Sequence, residues 1–254
     1  MYKSRRKLLS QNFLHSHSLV SQLVRNSSLG ENDTVIEIGP GKGIITQALL
    51  HLGATVLAVE LDDHLNPYLT QKFANNPRFI LYGNNFLDSP LPLTPYKVFA
   101  NLPFAIEGEA VRKLIDAGNP PLDCYLIVRK DFAYRLGGIQ TESMFSLMHK
   151  PWFDFSIYHQ FKHTDFIPAP RVQAVMLRFT KRESPLIPWK EKISYQKFIQ
   201  IGFGQGLPVR QNLRKYYAQG VIDTAFYRLS LRKDIRPSFM TFEQWRRVYG
   251  EIAG

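Results

Sequence analysis

Short apolar runs alternate with amphipathic segments along the first two thirds of the chain. The apolar runs predict strands at residues 34–38, 54–60, 78–82, 97–100, 123–129, 153–161 and 172–180. Segments with a helical spacing of apolar side chains predict helices at 18–28, 44–52, 63–74 and 107–117. This alternation predicts an α/β fold with a Rossmann-like, doubly wound sheet that is mostly parallel and ends in an antiparallel pair of strands.

The pattern changes after residue 181. The segment Glu183-Ser-Pro-Leu-Ile-Pro-Trp189 predicts a linker, and the remaining chain has a helical pattern. Residues 181–254 contain 14 Lys and Arg against 6 Asp and Glu, whereas residues 1–180 contain 18 against 15. We therefore expect one domain at 1–181 and a small helical, basic domain at 182–254. A basic domain is suited to binding a polyanion such as RNA, but Lys and Arg also keep helical surfaces soluble. Charge alone does not decide between these two roles.

Composition excludes several classes of protein. The chain has 254 residues, 44% of them hydrophobic, which is enough for a full core. Its single cysteine, Cys124, excludes a disulfide within the chain and is expected to be a buried strand residue. The chain has no apolar run of about eighteen residues, and its histidines have no carboxylate cluster beside them. We expect a cytoplasmic monomer that uses neither a membrane nor a metal.

A glycine-rich turn follows the first long apolar strand, in Thr34-Val-Ile-Glu-Ile-Gly-Pro-Gly-Lys-Gly43. Gly39 and Gly41 allow a sharp turn and close approach of backbone to a ligand at the start of a helix. An acidic residue, Glu60, ends the next strand about twenty residues later, where a carboxylate can accept hydrogen bonds from both hydroxyls of a ribose. The spacing predicts a site for a nucleoside cofactor.

Two other nucleotide motifs fit poorly here. A P-loop, G-x-x-x-x-G-K-[ST], needs glycine where Ile36 stands and Ser or Thr where Gly43 stands. A dinucleotide motif, G-x-G-x-x-G/A, needs a small residue where Ile44 stands. A cofactor with one nucleoside and no pyrophosphate is favoured.

The segment Asn101-Leu-Pro-Phe104 adds chemistry that general nucleotide-binding folds lack. The side-chain oxygen of Asn101 and the carbonyl of Leu102 could accept both hydrogens of a base amine. Pro103 would hold the turn rigid, and the ring of Phe104 could stack on the base. A plain turn after a strand is the alternative interpretation. Because this segment follows a glycine turn and an acidic residue at a strand end, we favour a site where an exocyclic amine is alkylated.

Six motifs together resemble the rRNA adenine N6-methyltransferases, which include the Erm enzymes of 23S rRNA and the small-subunit dimethyladenosine transferases. They are Arg6-Lys-Leu-Leu-Ser-Gln-Asn-Phe-Leu14, Glu37-Ile-Gly-Pro-Gly-Lys-Gly43, Val59-Glu-Leu-Asp62, Gly83-Asn-Asn-Phe-Leu87, Asn101-Leu-Pro-Phe104 and Phe166-Ile-Pro-Ala-Pro-Arg-Val172. In the tail, Phe242-Glu-Gln-Trp245 and Val248-Tyr249 are similar to the closing helix of the Erm branch. The resemblance is specific because the six motifs occur in the family's order.

The resemblance implies S-adenosylmethionine as cofactor and assigns roles by position. Cofactor-binding residues would be Asn12, Leu14, Gly39, Gly41, Glu60, Leu61, Asn85, Phe86 and Asn101. Catalytic residues would be Asn101, Leu102, Pro103 and Phe104. The chain departs from the family at Asn85, where aspartate usually accepts from the cofactor's adenine amine, and Asn84 leaves the register open. It departs again at Gln173-Ala174, where Asp-Ser is common.

The expected partner is ribosomal RNA, with the target adenine unstacked from a single strand or loop. Candidate RNA-binding residues are Arg5, Arg6, Lys7, Phe13, Lys130, Arg135, Arg210, Arg214 and Lys215, with Phe13 and Phe104 as a candidate clamp on the base. We expect N6-methylation, mono- or di-, of an adenine in 23S rRNA and resistance to macrolide-type antibiotics. The alternatives are a 16S rRNA dimethyladenosine transferase and a non-catalytic RNA-binding factor with the same fold.

Overall fold

The computed structural model describes residues 12–253, and its strands follow most of the predicted apolar runs. They are β1 (Phe13–Leu14), β2 (Thr34–Ile38), β3 (Thr55–Val59), β4 (Phe79–Tyr82), β5 (Lys97–Asn101), β6 (Asp123–Arg129), β7 (Phe153–Gln160), β8 (Phe166–Ile167) and β9 (Ala174–Lys181). The two-residue strands β1 and β8 are too short for a periodicity argument and are not predicted by one.

The helices of the first part are α1 (His17–Arg25), α2 (Ile44–His51), α3 (Leu65–Lys72), α4 (Glu107–Ile115), α5 (Lys130–Gly137) and α6 (Met144–His149). The tail contains α7 (Lys192–Phe203), α8 (Val209–Leu213), α9 (Gln219–Arg228) and α10 (Phe242–Ile252). Helices α5 and α6 are additions to the predicted set. No described helix has the length and apolar character needed to cross a membrane.

Seven strands form the central sheet in the order β4-β3-β2-β5-β6-β9-β7. Neighbours from β4 to β6 are parallel, and β9 is antiparallel to β6. The predicted doubly wound, mostly parallel α/β sheet is therefore confirmed. The carboxyl ends of β2, β3 and β5 lie at the same edge, which is where ligands bind in open parallel sheets.

The central strands are buried on both faces, which explains their nearly continuous apolar sequences. Val35, Val56 and Ala58 pack into one core cluster that also contains buried residues of α1 and α2. On α4, the side chains of Val111 and Leu114 are fully buried. A core built from both helices and strands holds the edge that carries the glycine turn in place.

The chain divides into two compact units. The first consists, in its described part, of residues 12–130 and Ser156–Lys181, and the second of Asp131–Phe155 with 182–253. The predicted boundaries, 1–181 and 182–254, differ from these units in residues 131–155, which group with the second unit. Helices α5 and α6 follow β6 directly along the chain, and a helical pattern does not show which core a helix joins, so nothing in the sequence separates them from the sheet domain.

The second unit has an aromatic core built around Trp245 of α10. The Trp245 ring stacks on Phe203 with centroids 5.9 Å apart, and its Nε1 donates to the carbonyl of Pro237 at 3.2 Å. A side chain at Gly202 would collide with the Trp245 ring. Helix α10 begins with a reciprocal capping box between Thr241 and Gln244. The tail segment that resembles the Erm branch is thus a core element of this unit.

Candidate active site

The glycine turn joins β2 to α2 at the carboxyl edge of the sheet. Gly39, Gly41 and Gly43 have φ angles of 67°, 57° and 76°, a region that favours glycine. At Gly43 a Cβ would also lie 2.7 Å from the Phe73 ring. The turn therefore favours glycine at these three positions. The amides of Gly39 and Gly43 donate to the carbonyls of Val59 and Pro40, at 2.9 and 2.8 Å, which fixes the shape of the turn.

Glu60 follows β3 and is held by the backbone on both sides. Its Oε2 accepts from the amide of Gly41 at 3.1 Å, and its Oε1 accepts from the amide of Asp62 at 2.9 Å. The side chain is only 1% exposed. Each carboxylate oxygen uses one lone pair in these bonds and keeps another, so both oxygens can still accept from a pair of ribose hydroxyls.

A pocket opens at this edge between the turn and the segments that follow β3, β4 and β5. It is lined by Ile38, Gly39, Val59, Glu60, Leu61, Asn84, Asn85, Phe86, Pro103 and Ile106. Of the residues predicted to bind the cofactor, Gly39, Glu60, Leu61, Asn85 and Phe86 are in this lining. Gly41 is not in the lining, but its amide donates to the carboxylate of Glu60, which is.

Leu14 has its side chain in the core, and its predicted contact with the cofactor stays a prediction. Its side chain is 5% exposed and belongs to the core cluster, and it is not among the pocket-lining residues. The strand β1 that contains it pairs with β8, with Phe13 opposite Ile167 and Leu14 opposite Phe166. Two of the six motifs are thus joined by a short antiparallel ladder, and Leu14 anchors that ladder in the core.

Asn101 is the last residue of β5 and has an oriented amide. Its Nδ2 donates to the backbone carbonyl of Asn12 at 2.7 Å, which leaves Oδ1 as the amide atom that can accept from a ligand. The following residue, Leu102, donates its amide to the carbonyl of Ile127 at 3.2 Å. The amide of Ile106 donates to the carbonyl of Pro103 at 3.0 Å, which closes the turn.

The two aromatic candidates for a clamp are both half-buried. Phe104 packs against the core cluster, while Phe13 lies on β1. The clamp on the target base stays a prediction.

The turn after β4 is fastened by a lysine that the sequence pattern does not indicate. Lys113 of α4 donates its ammonium hydrogens to the carbonyls of Phe86, Leu87 and Ser89. Burial lowers the pKa of this ammonium, and the nearby Asp88 carboxylate opposes that shift. A single lysine in an amphipathic helix carries no sequence signal for such a role, because most such residues are simply solvated.

A buried glutamate, Glu37, opens the motif of the glycine turn, but no role is assigned to it from the sequence. Its Oε2 accepts from Thr46 Oγ1 at 2.6 Å, and its Oε1 has no partner among the described residues. Desolvation raises the pKa of the Glu37 carboxyl to about 8, against the hydrogen bonds from Thr46. A charged residue inside an apolar strand is the sequence signal that could have identified it.

The candidates for phosphate contacts fall into different settings. Arg5, Arg6 and Lys7 lie outside the described residues. Lys130 donates to Gln173 Oε1 at 3.0 Å, which gives that departure from the family pattern a polar partner, and Arg135 is exposed on α5.

In the tail, Asp223 of α9 accepts from Arg210 and lies 3.8 Å from Arg214, while Lys215 is exposed. The hydrogen bond from Arg210 holds the pKa of the Asp223 carboxyl below its usual range. Arg210 is therefore part of an ion pair, and of these three residues Lys215 is the one most open to an RNA phosphate.

Comparison with known proteins gives a consistent picture. A family model described as Ribosomal RNA adenine dimethylase matches residues 2–252. An rRNA adenine N-6-methyltransferase of Streptomyces fradiae is 26% identical over 247 residues, covering 96% of this chain and 77% of that protein. A Ribosomal RNA small subunit methyltransferase A of Geobacter sulfurreducens is 31% identical over 226 residues, covering 85% and 82%.

Two solved structures share the fold along nearly the whole chain. The 23S rRNA methyltransferase ErmE has a TM-score of 0.87 at 22% identity, covering 96% of this chain and 100% of that one. A dimethyladenosine transferase of Plasmodium falciparum has a TM-score of 0.76 at 17% identity, covering 94% and 96%. At these identities the likeness is one of fold.

Proposed function

Because the chain belongs to the ribosomal RNA adenine dimethylase family, we propose that it methylates N6 of one adenine in 23S rRNA and confers resistance to macrolide-type antibiotics. The protein is an rRNA adenine N6-methyltransferase that uses S-adenosylmethionine. The large-subunit target is supported by the Erm-like closing helix α10 and by the greater likeness of fold to ErmE. We also propose that the protein acts as a monomer in the cytoplasm, where its RNA substrate is found.

The residues of the pocket fit the nucleoside part of S-adenosylmethionine. The Glu60 carboxylate, fixed by two backbone amides, suits a ribose with two adjacent hydroxyls. Ile38, Val59 and Phe86 provide apolar surface for a flat base. When bound, the cofactor supplies an electrophilic methyl group on a sulfonium.

The observation that carries the proposal is the orientation of the Asn101 amide. Since Nδ2 is occupied by the Asn12 carbonyl, Oδ1 is available to accept from an amine. An adenine N6 amine is a poor nucleophile because its lone pair is delocalised into the ring. Acceptors at Asn101 Oδ1 and the Leu102 carbonyl would hold both amine hydrogens and favour the pyramidal nitrogen, whose lone pair is free to attack.

The remaining catalytic work is positioning. Pro103 restricts the backbone beside these acceptors, and Phe104 is available to stack on an unstacked base at roughly 1–3 kcal/mol. An in-line methyl transfer needs alignment more than proton removal, because the charged amine product can lose its proton to water afterwards. No general base is therefore required of this chain.

The target is tested by incubating the protein with S-adenosylmethionine labelled on the methyl group and with either free 23S rRNA or 30S particles. We expect label in 23S rRNA at one adenine, which nuclease digestion and separation of the labelled fragments would locate. Mass spectrometry of that nucleotide distinguishes one methyl group from two. Label confined to 30S particles would contradict the proposal and favour the 16S rRNA dimethyladenosine transferase, the second candidate, which is supported by the small-subunit relatives of similar identity.

A further inference from the structure

We infer that Asp88 is a positioning residue for cofactor recognition, because it orients the Asn85 amide so that the oxygen rather than the nitrogen is offered to the adenine amine of S-adenosylmethionine. The inference deepens the proposed function and rests on its assignment of the pocket to the cofactor. It concerns the turn at residues 84–89, which joins β4 to the rest of the sheet and contributes Asn84, Asn85 and Phe86 to the pocket lining.

Both ends of the Asn85 amide have partners within this turn. Nδ2 donates to Asp88 Oδ2 at 2.9 Å, and Oδ1 accepts from the amide of Leu87 at 3.1 Å. A flipped amide would place its oxygen against the Asp88 carboxylate and its nitrogen against the Leu87 N–H, so both bonds would be lost. The turn therefore selects one of the two orientations.

The selected orientation matters because an asparagine, unlike an aspartate, is an acceptor on only one side. A hydrogen bond from Leu87 uses one lone pair of Oδ1, and the second lone pair remains for an exocyclic amine. If the nitrogen faced the pocket instead, it would repel an adenine amine and favour a base with a carbonyl at that position. The Asn85–Asp88 pair thus favours adenine over hypoxanthine.

The charge of Asp88 contributes in a second way. A carboxylate that accepts from Nδ2 polarises the amide and makes its oxygen a stronger acceptor. Asp88 thereby supplies, through its neighbour, part of the negative charge that an aspartate at position 85 would supply directly. The neighbouring Asn84 has a different partner, since its Oδ1 accepts from Ser89 Oγ at 3.0 Å.

The pair predicts that substitutions at 85 and 88 are strongly coupled. Asn85→Asp alone would bring two carboxylates to the distance of a hydrogen bond with no proton donor between them, so cofactor binding should weaken. Asn85→Asp combined with Asp88→Asn restores a donor, now on residue 88, and keeps an acceptor-only group facing the pocket. The exchange should therefore rescue what the single change loses.

The test is a double-mutant cycle read by calorimetry with S-adenosylhomocysteine and its inosine counterpart. We expect Asp88→Asn to weaken the binding of S-adenosylhomocysteine roughly five- to tenfold. The preference of the protein for this ligand over the inosine form should fall by a similar factor. Asn85→Asp should weaken binding roughly tenfold, and the exchanged double variant should return to within about threefold of the wild type. In turnover assays, Asp88→Asn should raise KM for S-adenosylmethionine with little change in kcat, a split that a loss of folding would not produce.

Three controls separate the possible failures. Asp234→Asn removes an exposed carboxylate that pairs with Arg232 in the second unit, and it should leave cofactor binding unchanged. Asp88 is exposed, so Asp88→Asn should keep the wild-type melting temperature. If that temperature falls, recovery of cofactor binding in the exchanged double variant still tests the coupling. Glu60→Gln should severely weaken the binding of S-adenosylhomocysteine, because Glu60 is assigned to the ribose.

Additive effects of the two substitutions, or an unchanged preference for adenine in Asp88→Asn, would overturn the inference while Glu60→Gln still loses binding. Wild-type binding by Glu60→Gln would instead contradict the assignment of the pocket to the cofactor.

Discussion

Asn101 and Asn12 are linked by a hydrogen bond of 2.7 Å from a side-chain amide to a backbone carbonyl, across 89 positions of the chain. The bond turns the acceptor atom of Asn101 away from the N-terminal segment. The chemistry proposed for the site depends on this orientation, because an amide nitrogen in the same place would repel an amine.

We expect Asn101→Ala to reduce methyl transfer by about a thousandfold or more while cofactor affinity changes by less than about threefold, since the residue acts on the nitrogen in the transition state. Single-turnover rates and calorimetry on the same preparation measure the two quantities. Equal losses in both would contradict a role in transfer.

Asn101→Asp examines the orientation itself. The variant keeps an acceptor of the same shape but has no hydrogen to donate to the Asn12 carbonyl, so two oxygens would face each other. We expect transfer to fall by about tenfold to a hundredfold with cofactor binding largely kept. Wild-type turnover would mean that the bond to Asn12 does not orient the group.

Lys113 should act on cofactor binding through the turn that it fastens. Lys113→Met keeps an unbranched side chain that ends one atom short of the ammonium, and it leaves three carbonyls without their donor. We therefore expect KM for S-adenosylmethionine to rise roughly tenfold with kcat nearly unchanged. Arg112→Met, an exposed change on the same helix, is the matched control. If both variants behave alike, the effect comes from the charge of α4 and not from the turn.

Glu37 should make stability depend on pH. The carboxyl has a pKa of about 8 in the fold against an ordinary value of 4.5, so between these values the folded protein holds a proton that the unfolded chain lacks. Stability is therefore present at low pH and is lost as pH rises toward 8, with a slope of up to about 1.4 kcal/mol per pH unit.

Glu37→Gln replaces the titrating carboxyl with a neutral amide whose oxygen can still accept from Thr46. The variant should gain stability relative to the wild type as pH rises from 5 to 8, which urea unfolding at several pH values would measure. Parallel curves for the two proteins would show that Glu37 is ionised in the fold.

The basic tail should separate into residues that hold the unit together and residues that bind RNA. Arg210, whose side chain is 18% exposed, pairs with Asp223, so Arg210→Ala should lower the melting temperature. Lys215→Ala should leave that temperature unchanged and weaken the binding of RNA uniformly across sequences. The slope of the logarithm of RNA affinity against the logarithm of salt concentration should fall by about one. A wild-type salt slope in Lys215→Ala would remove this residue from the RNA-binding surface.

The sheet could be predicted because its strands are buried on two faces and therefore read as apolar runs. The glycine turn and Glu60 could be predicted as well, because their backbone and spacing requirements are local. Lys113 and Asp88 could not, since each acts through partners that only the folded turn brings near. The grouping of residues 131–155 with the tail in one compact unit could not be predicted, because a helical pattern in the sequence does not show which core a helix joins.

Arg210 illustrates a second limit of sequence patterns. Its charge and helical spacing favour a phosphate contact, which stays a prediction, but they do not show that Asp223, thirteen residues later, pairs with it. Leu14 illustrates the same limit, because its motif suggests a ligand contact, which stays a prediction, and does not show that the side chain packs into the core.

The ladder between β1 and β8 joins Phe13 to Ile167 across more than half the length of the chain. During synthesis, the segment that holds the Asn12 carbonyl has no strand to pair with until the ribosome has released residue 167. The carbonyl that orients the Asn101 amide therefore lies next to a strand whose pairing partner is among the last segments of the first unit to be synthesised.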